Sequence, residues 1–573
     1  MHIVQARPPR AHPFLILLGL FLAAFLVRAT GLDFGYFLGD ERIGDAAKVL
    51  TGQIVPGDHY YPPLVHYLNA VAFGVLFGAG WLLGIWPDTA AFRAEYFSDP
   101  TVFYLTARVT TALFGALLAP MFYLVGRSLD LSHRAAIIAG LIGVLMPLAI
   151  HMSHIAKGDT ALAVAGVAVV AAMLYRHRLG RSTARDILLG VAVTMAVSFK
   201  HSFVLIAFPL ALVHVGLLAH RVGSRAALAS AGRSILAILV LWPVLNIGIL
   251  LDFRDFIVFQ KIQSVMSFQS GGSYLQALQM MAARAMEYET GITPAASFLA
   301  LLFPVYLVSP TCQLPQKALL AGTWAAVLVS ILVTAKMVGL RQPEHFWLSQ
   351  LALMQLFAAL MIADLMRAAH GRMRVLGRAS LGLVLAMSLV GSGLVLRQAL
   401  MPPMSEQLNA LILRDYADRR IFTGTPLTLA QSAEAAAWET ARLDRVARKY
   451  DVEMPERAAE RFNDRDTGTP VYFLNAPGGL YGLENASEED LKGIIRPYAW
   501  PLQPEEWTLS FWRDLGVDVF IVRDLASNFT PTSGKLFRAF YTELVETCVV
   551  AETLKARKPL FLEFDITILT CAD

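Results

Sequence analysis

The chain has 573 residues, of which 56% are hydrophobic and only 16% are charged, and its mean hydropathy is +0.53. Soluble domains carry about 25% charged residues, so the composition excludes an ordinary soluble protein and predicts a polytopic α-helical membrane protein. A net charge of +4 spread over many loops gives no basis for nucleic-acid binding, and three cysteines are too few for a disulfide scaffold or a metal cluster.

The first apolar segment spans residues 13–27 and follows a short stretch that contains Arg7 and Arg10 but no acidic residue. No small-residue cleavage site precedes Arg28, which argues against a signal peptide. We therefore expect a first transmembrane helix with its N-terminus in the cytoplasm.

An acidic pair, Asp40 and Glu41, comes soon after this helix. Carboxylates at the mouth of a membrane helix are costly unless they are solvated or functional, so the pair is a candidate functional site. His59, Tyr60 and Tyr61 follow in the same loop. We expect them either to contact a substrate or to form part of an interfacial aromatic belt.

The placement of the apolar segment 64–86 decides the predicted topology. If it crosses the membrane, the basic loop 127–134 lies outside; if 62–86 lies along the outer interface, every short basic loop is cytoplasmic. The positive-inside rule selects an interfacial segment in the first outer loop and about eleven crossings. The predicted crossings are 13–27, 103–126, 135–152, 160–175, 187–199, 203–220, 235–251, 295–308, 318–335, 346–366 and 381–396.

Hydropathy falls sharply after Met401-Pro402-Pro403. We therefore expect a transmembrane domain over residues 1–400 and an extracytoplasmic soluble α/β domain over residues 401–573. Cys548 and Cys571 are able to pair if this second domain lies outside the cytoplasm. Its expected strands are 470–474 and 517–522, and its expected helices are 505–515 and 535–546.

The predicted topology gathers ionisable side chains on the outer face, namely Asp40, Glu41, Lys157, Asp159, Lys200, Arg341 and His345. Cations hold a phosphate, while a carboxylate takes the proton from an attacking hydroxyl or amine. The positive charges of Lys and Arg also stabilise the negative charge that develops on a phosphate as it leaves the sugar. The combination predicts glycosyl transfer from a lipid phosphate.

Several short motifs carry a family resemblance: Asp40-Glu41, Pro62-Pro63-Leu64, Ala107-Arg108, Gly126-Arg127, Asp159 and Ser198-Phe199-Lys200. In this order they resemble the GT-C membrane glycosyltransferases, in particular the branch of protein O-mannosyltransferases and aminoarabinose transferases. The resemblance covers roughly residues 14–365. It implies a GT-C-like fold and an inverting transferase with an outward-facing site, supplied by a polyprenyl-phosphate sugar.

The resemblance also implies roles for individual residues. Asp40 matches the catalytic carboxylate of the family, Glu41 its companion, and Asp159 the acid of the second outer loop. Lys200 matches the cation that contacts the lipid phosphate, and Arg341 loosely matches a later basic residue. Lys157 is a further candidate for the phosphate, while Tyr60, Tyr61, His59 and His345 are candidate contacts of the acceptor or donor.

The chain departs from the family at Gln342-Pro343-Glu344, where a tyrosine is expected, and its soluble domain matches no carbohydrate-binding module. The acceptor, whether glycan, lipid or protein, therefore stays open. No cofactor or metal is assigned: His151 and His154 have helical spacing, but a third ligand is missing.

Simpler interpretations exist for single residues. Asp159 could serve as the N-cap of the helix that follows it. Lys200 could extend from a helix end to the lipid headgroups. At the level of function, the alternatives are a lipid-linked saccharide transporter or flippase, and an oligosaccharide polymerase or ligase. A transporter should show inverted repeats and charges near mid-membrane. The expected location is the bacterial inner membrane, with the site on the periplasmic side.

Overall fold

A computed structural model describes residues 13–34, 41–55, 59, 61–180, 182–257, 259–260, 273–339, 343–368, 371–425, 427–449, 469–477, 503–529, 534–556 and 564–572. Among the predicted site residues, Asp40, Tyr60 and Arg341 lie outside these ranges.

The N-terminal part of the chain is a bundle of helices joined by short connections. Helices suit a membrane because they satisfy every backbone hydrogen bond within the segment. They are α1 (Pro13–Ala29), α2 (Ile43–Leu50), α3 (Leu64–Leu82), α4 (Thr89–Ser98), α5 (Thr101–Ala116), α6 (Leu118–Ser128), α7 (His133–Val144), α8 (Pro147–Ser153), α9 (Asp159–Leu179), α10 (Thr183–Phe199), α11 (Val204–Val222), α12 (Ser224–Leu245), α13 (Ile247–Leu251), α14 (Tyr274–Met286), α15 (Pro294–Val308), α16 (Lys317–Val338), α17 (Leu348–Leu365) and α18 (Gly371–Ala399).

Within the described ranges, eight helical segments are long and apolar enough to cross a membrane, or nine if the bent pair α7 and α8 counts as one span. Helices α1 and α15 are apolar but shorter. Each predicted crossing falls on a helix or a helix pair, which confirms the expected polytopic helical membrane protein. Helix α3 is one of these eight segments and is long and apolar enough to cross the membrane. The interfacial placement of residues 62–86 therefore stays a prediction.

The predicted crossing 135–152 is divided into α7 and α8, which meet at 53°. Pro147 lies in the first turn of α8, where its missing N–H costs no helical hydrogen bond. The break leaves carbonyl groups of α7 open, and the buried guanidinium of Arg28 donates to Gly143 O at 3.0 Å and to Val144 O at 3.1 Å. Arg28 therefore caps the carboxyl end of α7.

Helix α17 is the centre of the bundle, because every one of its residues is buried. Helices α7, α9, α15 and α18 pack around it. At the basic end of the bundle, buried Asp186 of α10 binds Arg176 of α9 and Arg233 of α12. This arrangement ties three neighbouring helices together at the end opposite to the candidate site.

The C-terminal part contains a five-stranded sheet in the order β2-β1-β3-β5-β4. The first three strands are parallel, and β5 and β4 are antiparallel to their neighbours. This sheet confirms the expected small α/β region. Its strands are β1 (Ile421–Thr423), β2 (Phe473–Asn475), β3 (Val519–Arg523), β4 (Val549–Leu554) and β5 (Ile566–Thr570), and its helices are α19 (Met404–Asp415), α20 (Ala433–Lys449), α21 (Leu509–Asp514) and α22 (Lys535–Thr547).

Apolar side chains bury both faces of this sheet. Phe422 and Phe520 pack with Trp512 on one face, and Ile421 and Ile521 lie in a second cluster on the other. A disulfide joins Cys548, just before β4, to Cys571, just after β5. The pairing that the sequence allowed is thus present, and it ties together the ends of two neighbouring strands.

Candidate active site

The Glu41 carboxylate forms hydrogen bonds that link neighbouring segments of the chain. Its Oε1 accepts hydrogen bonds from Arg108 Nε and from the backbone N–H of Ala156, and its Oε2 accepts one from Arg108 Nη2, each at 2.8 Å. Arg108 also donates to Leu32 O at 2.7 Å, and both charged side chains are buried. These contacts join the segment after α1 to α5 and to the α8–α9 connection.

Asp159 and Lys200 form the second acid–cation pair. Asp159 is the first residue of α9 and Lys200 follows α10, so the turn between these antiparallel helices brings both to one end. Lys200 Nζ donates to Asp159 Oδ1 at 2.6 Å. The other oxygen of Asp159, Oδ2, is buried and has no hydrogen-bond partner within the described part of the chain.

These contacts bear on a simpler interpretation of Asp159. It makes no side-chain cap bond to α9, whose N-cap is Gly158, so the N-cap hypothesis is wrong. The ammonium of Lys200 binds the buried Asp159 carboxylate and lies 5.1 Å from the ring centroid of Phe346. Both side chains are therefore held at the same end of the bundle.

Tyr61 lies between two cations at this end. The Arg42 guanidinium carbon and Lys157 Nζ are each 5.4 Å from its ring centroid, distances at which a cation and an aromatic face attract. His345 contacts Phe346 with ring centroids 4.6 Å apart. Phe346 in turn lies beneath Lys200, so His345 is part of the same region.

A second part of the region is built around His59. Its Nε2 lies 2.9 Å from Asp252 Oδ2, although 193 residues separate the two. The ring of Phe256 contacts His59 with centroids 5.7 Å apart and His201 with centroids 5.4 Å apart. Since His201 follows Lys200 directly, this group adjoins the Asp159–Lys200 pair.

The sequence reasoning missed the buried carboxylate of Glu344. It forms an ion pair with Arg284 at 3.1 Å, and Arg284 also binds the Glu287 carboxylate at 2.6 Å. Burial raises the pKa of Glu344, while the charges of Arg284 and Lys157 act in the opposite direction. In the sequence, Glu344 was visible only as part of Gln342-Pro343-Glu344, where the chain departs from the family pattern.

The structure thus brings together Lys157, Tyr61, Asp159, Lys200 and His345, and it places His59 beside them. Cations, buried carboxylates and aromatic rings at one end of a helical bundle are suited to holding a phosphate and a polar group attached to it. Within the described ranges, no group of three or more His, Cys, Asp or Glu side chains could hold a metal ion.

The fold over nearly the whole chain is similar to that of ArnT from Cupriavidus metallidurans. The structure of ArnT bound to undecaprenyl phosphate matches with a TM-score of 0.51 and 15% identity, covering 96% of this chain and 97% of that one. The apo structure of the same protein matches with a TM-score of 0.50, 15% identity and the same coverage. The chain therefore has the GT-C fold that its motifs led us to expect.

The family comparison concerns one segment of the chain. Residues 55–261 match the family model described as dolichyl-phosphate-mannose-protein mannosyltransferase. This segment includes Lys157, Asp159 and Lys200 and covers less than half of the chain. No curated protein sequence matches the chain. The chain is thus similar to a mannosyltransferase family over this segment and similar in fold to ArnT over nearly its whole length.

Proposed function

We propose that the protein transfers a sugar from a polyprenyl-phosphate donor to a hydroxyl or amine acceptor, at the outer face of the membrane and with inversion. The observation that carries this proposal is the pairing of Lys200 with Asp159 at the end of the bundle that also holds Lys157. A partly buried lysine beside a buried carboxylate is held in place before the donor arrives, which lowers the entropic cost of binding a phosphate.

In the proposed reaction, the Asp40 carboxylate takes the proton from the acceptor group. The acceptor atom then forms a bond to the anomeric carbon while the bond from that carbon to the phosphate oxygen breaks. The electron pair of the broken bond stays on the phosphate, whose charge is stabilised by Lys200, with Lys157 and Arg341 as further contacts. Attack from the face opposite to the phosphate inverts the anomeric configuration.

Glu41 has a different proposed role from that of its neighbour. Within the described part of the chain, its hydrogen bonds come from Arg108 and from the N–H of Ala156. We assign it as a positioning residue that fixes the segment carrying Asp40. Asp159 positions Lys200, and its unpartnered Oδ2 remains available to a donor or acceptor hydroxyl.

The proposed location is the bacterial inner membrane, with the site and the soluble domain on the periplasmic side. Two observations support this orientation: the short basic loops gather at the other end of the bundle, and Cys548 and Cys571 form a disulfide. The acceptor classes are a glycan, a lipid or a protein, and the contacts at the site do not favour one of them.

Product formation from a radiolabelled undecaprenyl-phosphate sugar tests the proposal, with wild type and Asp40→Asn compared in the same membranes. We expect turnover to fall by about 10³-fold or more in the variant, because the proton acceptor is lost. Asp33→Asn is the matched control, since Asp33 is exposed in the same segment after α1. Unchanged turnover in Asp40→Asn would show that Asp40 is not the base. If NMR shows that the anomeric configuration is retained in the product, the inverting mechanism is wrong.

A further inference from the structure

His59, His201 and Phe256 form a group of side chains that has no role in the proposed reaction. The Phe256 ring contacts both imidazoles, at centroid distances of 5.7 Å to His59 and 5.4 Å to His201. The group combines residues from the first outer loop, from the turn after α10 and from the segment after α13. Such a convergence of distant segments is typical of a ligand site.

Each imidazole has one buried nitrogen without a hydrogen-bond partner in the described part of the chain. These atoms are Nδ1 of His59 and Nε2 of His201. The His59 side chain is only 1% exposed, and its other nitrogen lies 2.9 Å from the Asp252 carboxylate. Since a carboxylate accepts hydrogen bonds, Nε2–H of His59 donates to Asp252, and Nδ1 is left to bind another group.

A buried nitrogen without a partner is unfavourable, and a ligand that supplies hydrogen-bonding groups would relieve this cost. Two imidazole nitrogens whose rings both contact one aromatic ring suit a ligand with several hydroxyl groups and an apolar C–H surface. A sugar ring has this combination of groups. An alkyl chain would leave both nitrogens unpaired, and a phosphate alone would not use the aromatic ring.

The position of the group agrees with this chemistry. His201 directly follows Lys200, which we have proposed to contact the donor phosphate, and the sugar of the donor is bonded to that phosphate. We infer that His59 and His201, with Phe256, form the subsite for the sugar of the donor, and that Asp252 orients His59. This inference rests on the proposed function.

The segment after α13 also covers His59. Asp252 binds its imidazole, and Gln260 Nε2 donates to the backbone oxygen of His59 at 3.2 Å. Asp252 and Gln260 thus hold the imidazole ring and the backbone of His59.

The test compares two lipids that differ only in the sugar: undecaprenyl phosphate and undecaprenyl-phosphate mannose. Dissociation constants are measured with purified full-length protein in nanodiscs for wild type, His59→Ala and His201→Ala. His220→Ala is the matched control, because His220 is exposed at the opposite end of α11, the helix that begins just after His201. His201→Gln retains hydrogen-bonding groups and should restore part of the affinity.

We expect both alanine variants to bind the bare lipid phosphate within about 2-fold of wild type and the mannose-bearing lipid at least 10-fold more weakly. Equal weakening for both lipids would indicate a merely structural role and would overturn the subsite. Unchanged binding of the mannose-bearing lipid, or a wild type that does not distinguish the two lipids, would also overturn it. A wild type that binds neither lipid contradicts the proposed function itself, which separates that failure from failure of the subsite.

Discussion

Arg108 donates two hydrogen bonds of 2.8 Å to the carboxylate of Glu41, and neither side chain is exposed to solvent. A buried pair of this kind is costly to break, because the remaining charge is left without compensation. We expect Arg108→Leu or Glu41→Gln to lower the free energy of unfolding by about 3–5 kcal/mol. Thermal unfolding in detergent measures the loss.

The double variant Glu41→Gln/Arg108→Leu should lose much less stability than the sum of the two single variants, because no unpaired charge remains. The exposed pair of Asp130 and Arg178 provides the control, and Asp130→Asn should change stability by about 0–1 kcal/mol. Additive losses at Glu41 and Arg108 would show that the two side chains do not act as a pair.

Lys200 should govern affinity for the lipid phosphate. A hydrogen bond to a charged group contributes about 1.5–3 kcal/mol, so Lys200→Gln should weaken binding of undecaprenyl phosphate by roughly 10- to 100-fold. Fluorescence or mass-spectrometric titration in nanodiscs measures this change. Lys317→Gln, an exposed substitution at the other end of the bundle, should leave the affinity unchanged. Equal effects of both substitutions would rule out a specific contact at Lys200.

Glu344 should make the stability of the protein depend on pH. Because burial raises its pKa, the folded protein binds the proton more tightly than the unfolded chain does. The contribution of Glu344 to stability is therefore fully present below the ordinary glutamate pKa of about 4.3 and is lost as pH rises through the raised pKa.

The variant Glu344→Gln lacks this titration. Its melting temperature relative to wild type should increase as the pH is raised from about 4 to about 7. Glu287→Gln serves as the control, since that carboxylate also binds Arg284 but is 42% exposed. A melting-temperature difference between wild type and Glu344→Gln that does not vary with pH would contradict the prediction.

The disulfide between Cys548 and Cys571 should stabilise the C-terminal region that contains the five-stranded sheet. Closing a loop over a sequence separation of 23 residues restricts the unfolded chain, and we expect a contribution of about 2–4 kcal/mol. Limited proteolysis of the double serine variant should show faster cleavage in the C-terminal part than in wild type. Cys312→Ser, a change outside this region, should not reproduce the effect. Equal cleavage rates in all three proteins would show that the bond adds no stability.

The sequence predicted the helical membrane bundle well because an apolar run is a strong local signal. Lys157, Asp159 and Lys200 could also be placed at one end, since each lies at the boundary of such a run. The partner of Glu41 could not be predicted: Arg108 was visible as a motif residue, but nothing local indicates which acid it binds. The contact between His59 and Asp252 spans 193 residues and has no local signal either.

In the C-terminal region, the strand around Val519–Arg523 was predictable because it is a continuous apolar run. Strand β4 was not, because its residues are mostly exposed and Glu552 interrupts the apolar pattern at an irregular point of the ladder. Strand β1 has only three residues, and pairing on both sides defines it. Periodicity over so few residues carries too little information to identify it.

The cap that Arg28 places on α7 has a consequence for the order in which the membrane domain assembles. The acceptors of its guanidinium, the carbonyls of Gly143 and Val144, are synthesised more than a hundred residues after Arg28 itself. Until α7 has been synthesised, the acceptor that the structure gives this guanidinium is the Ala24 carbonyl of its own helix. The set of hydrogen bonds around Arg28 is therefore complete only after α7 has packed beside α1.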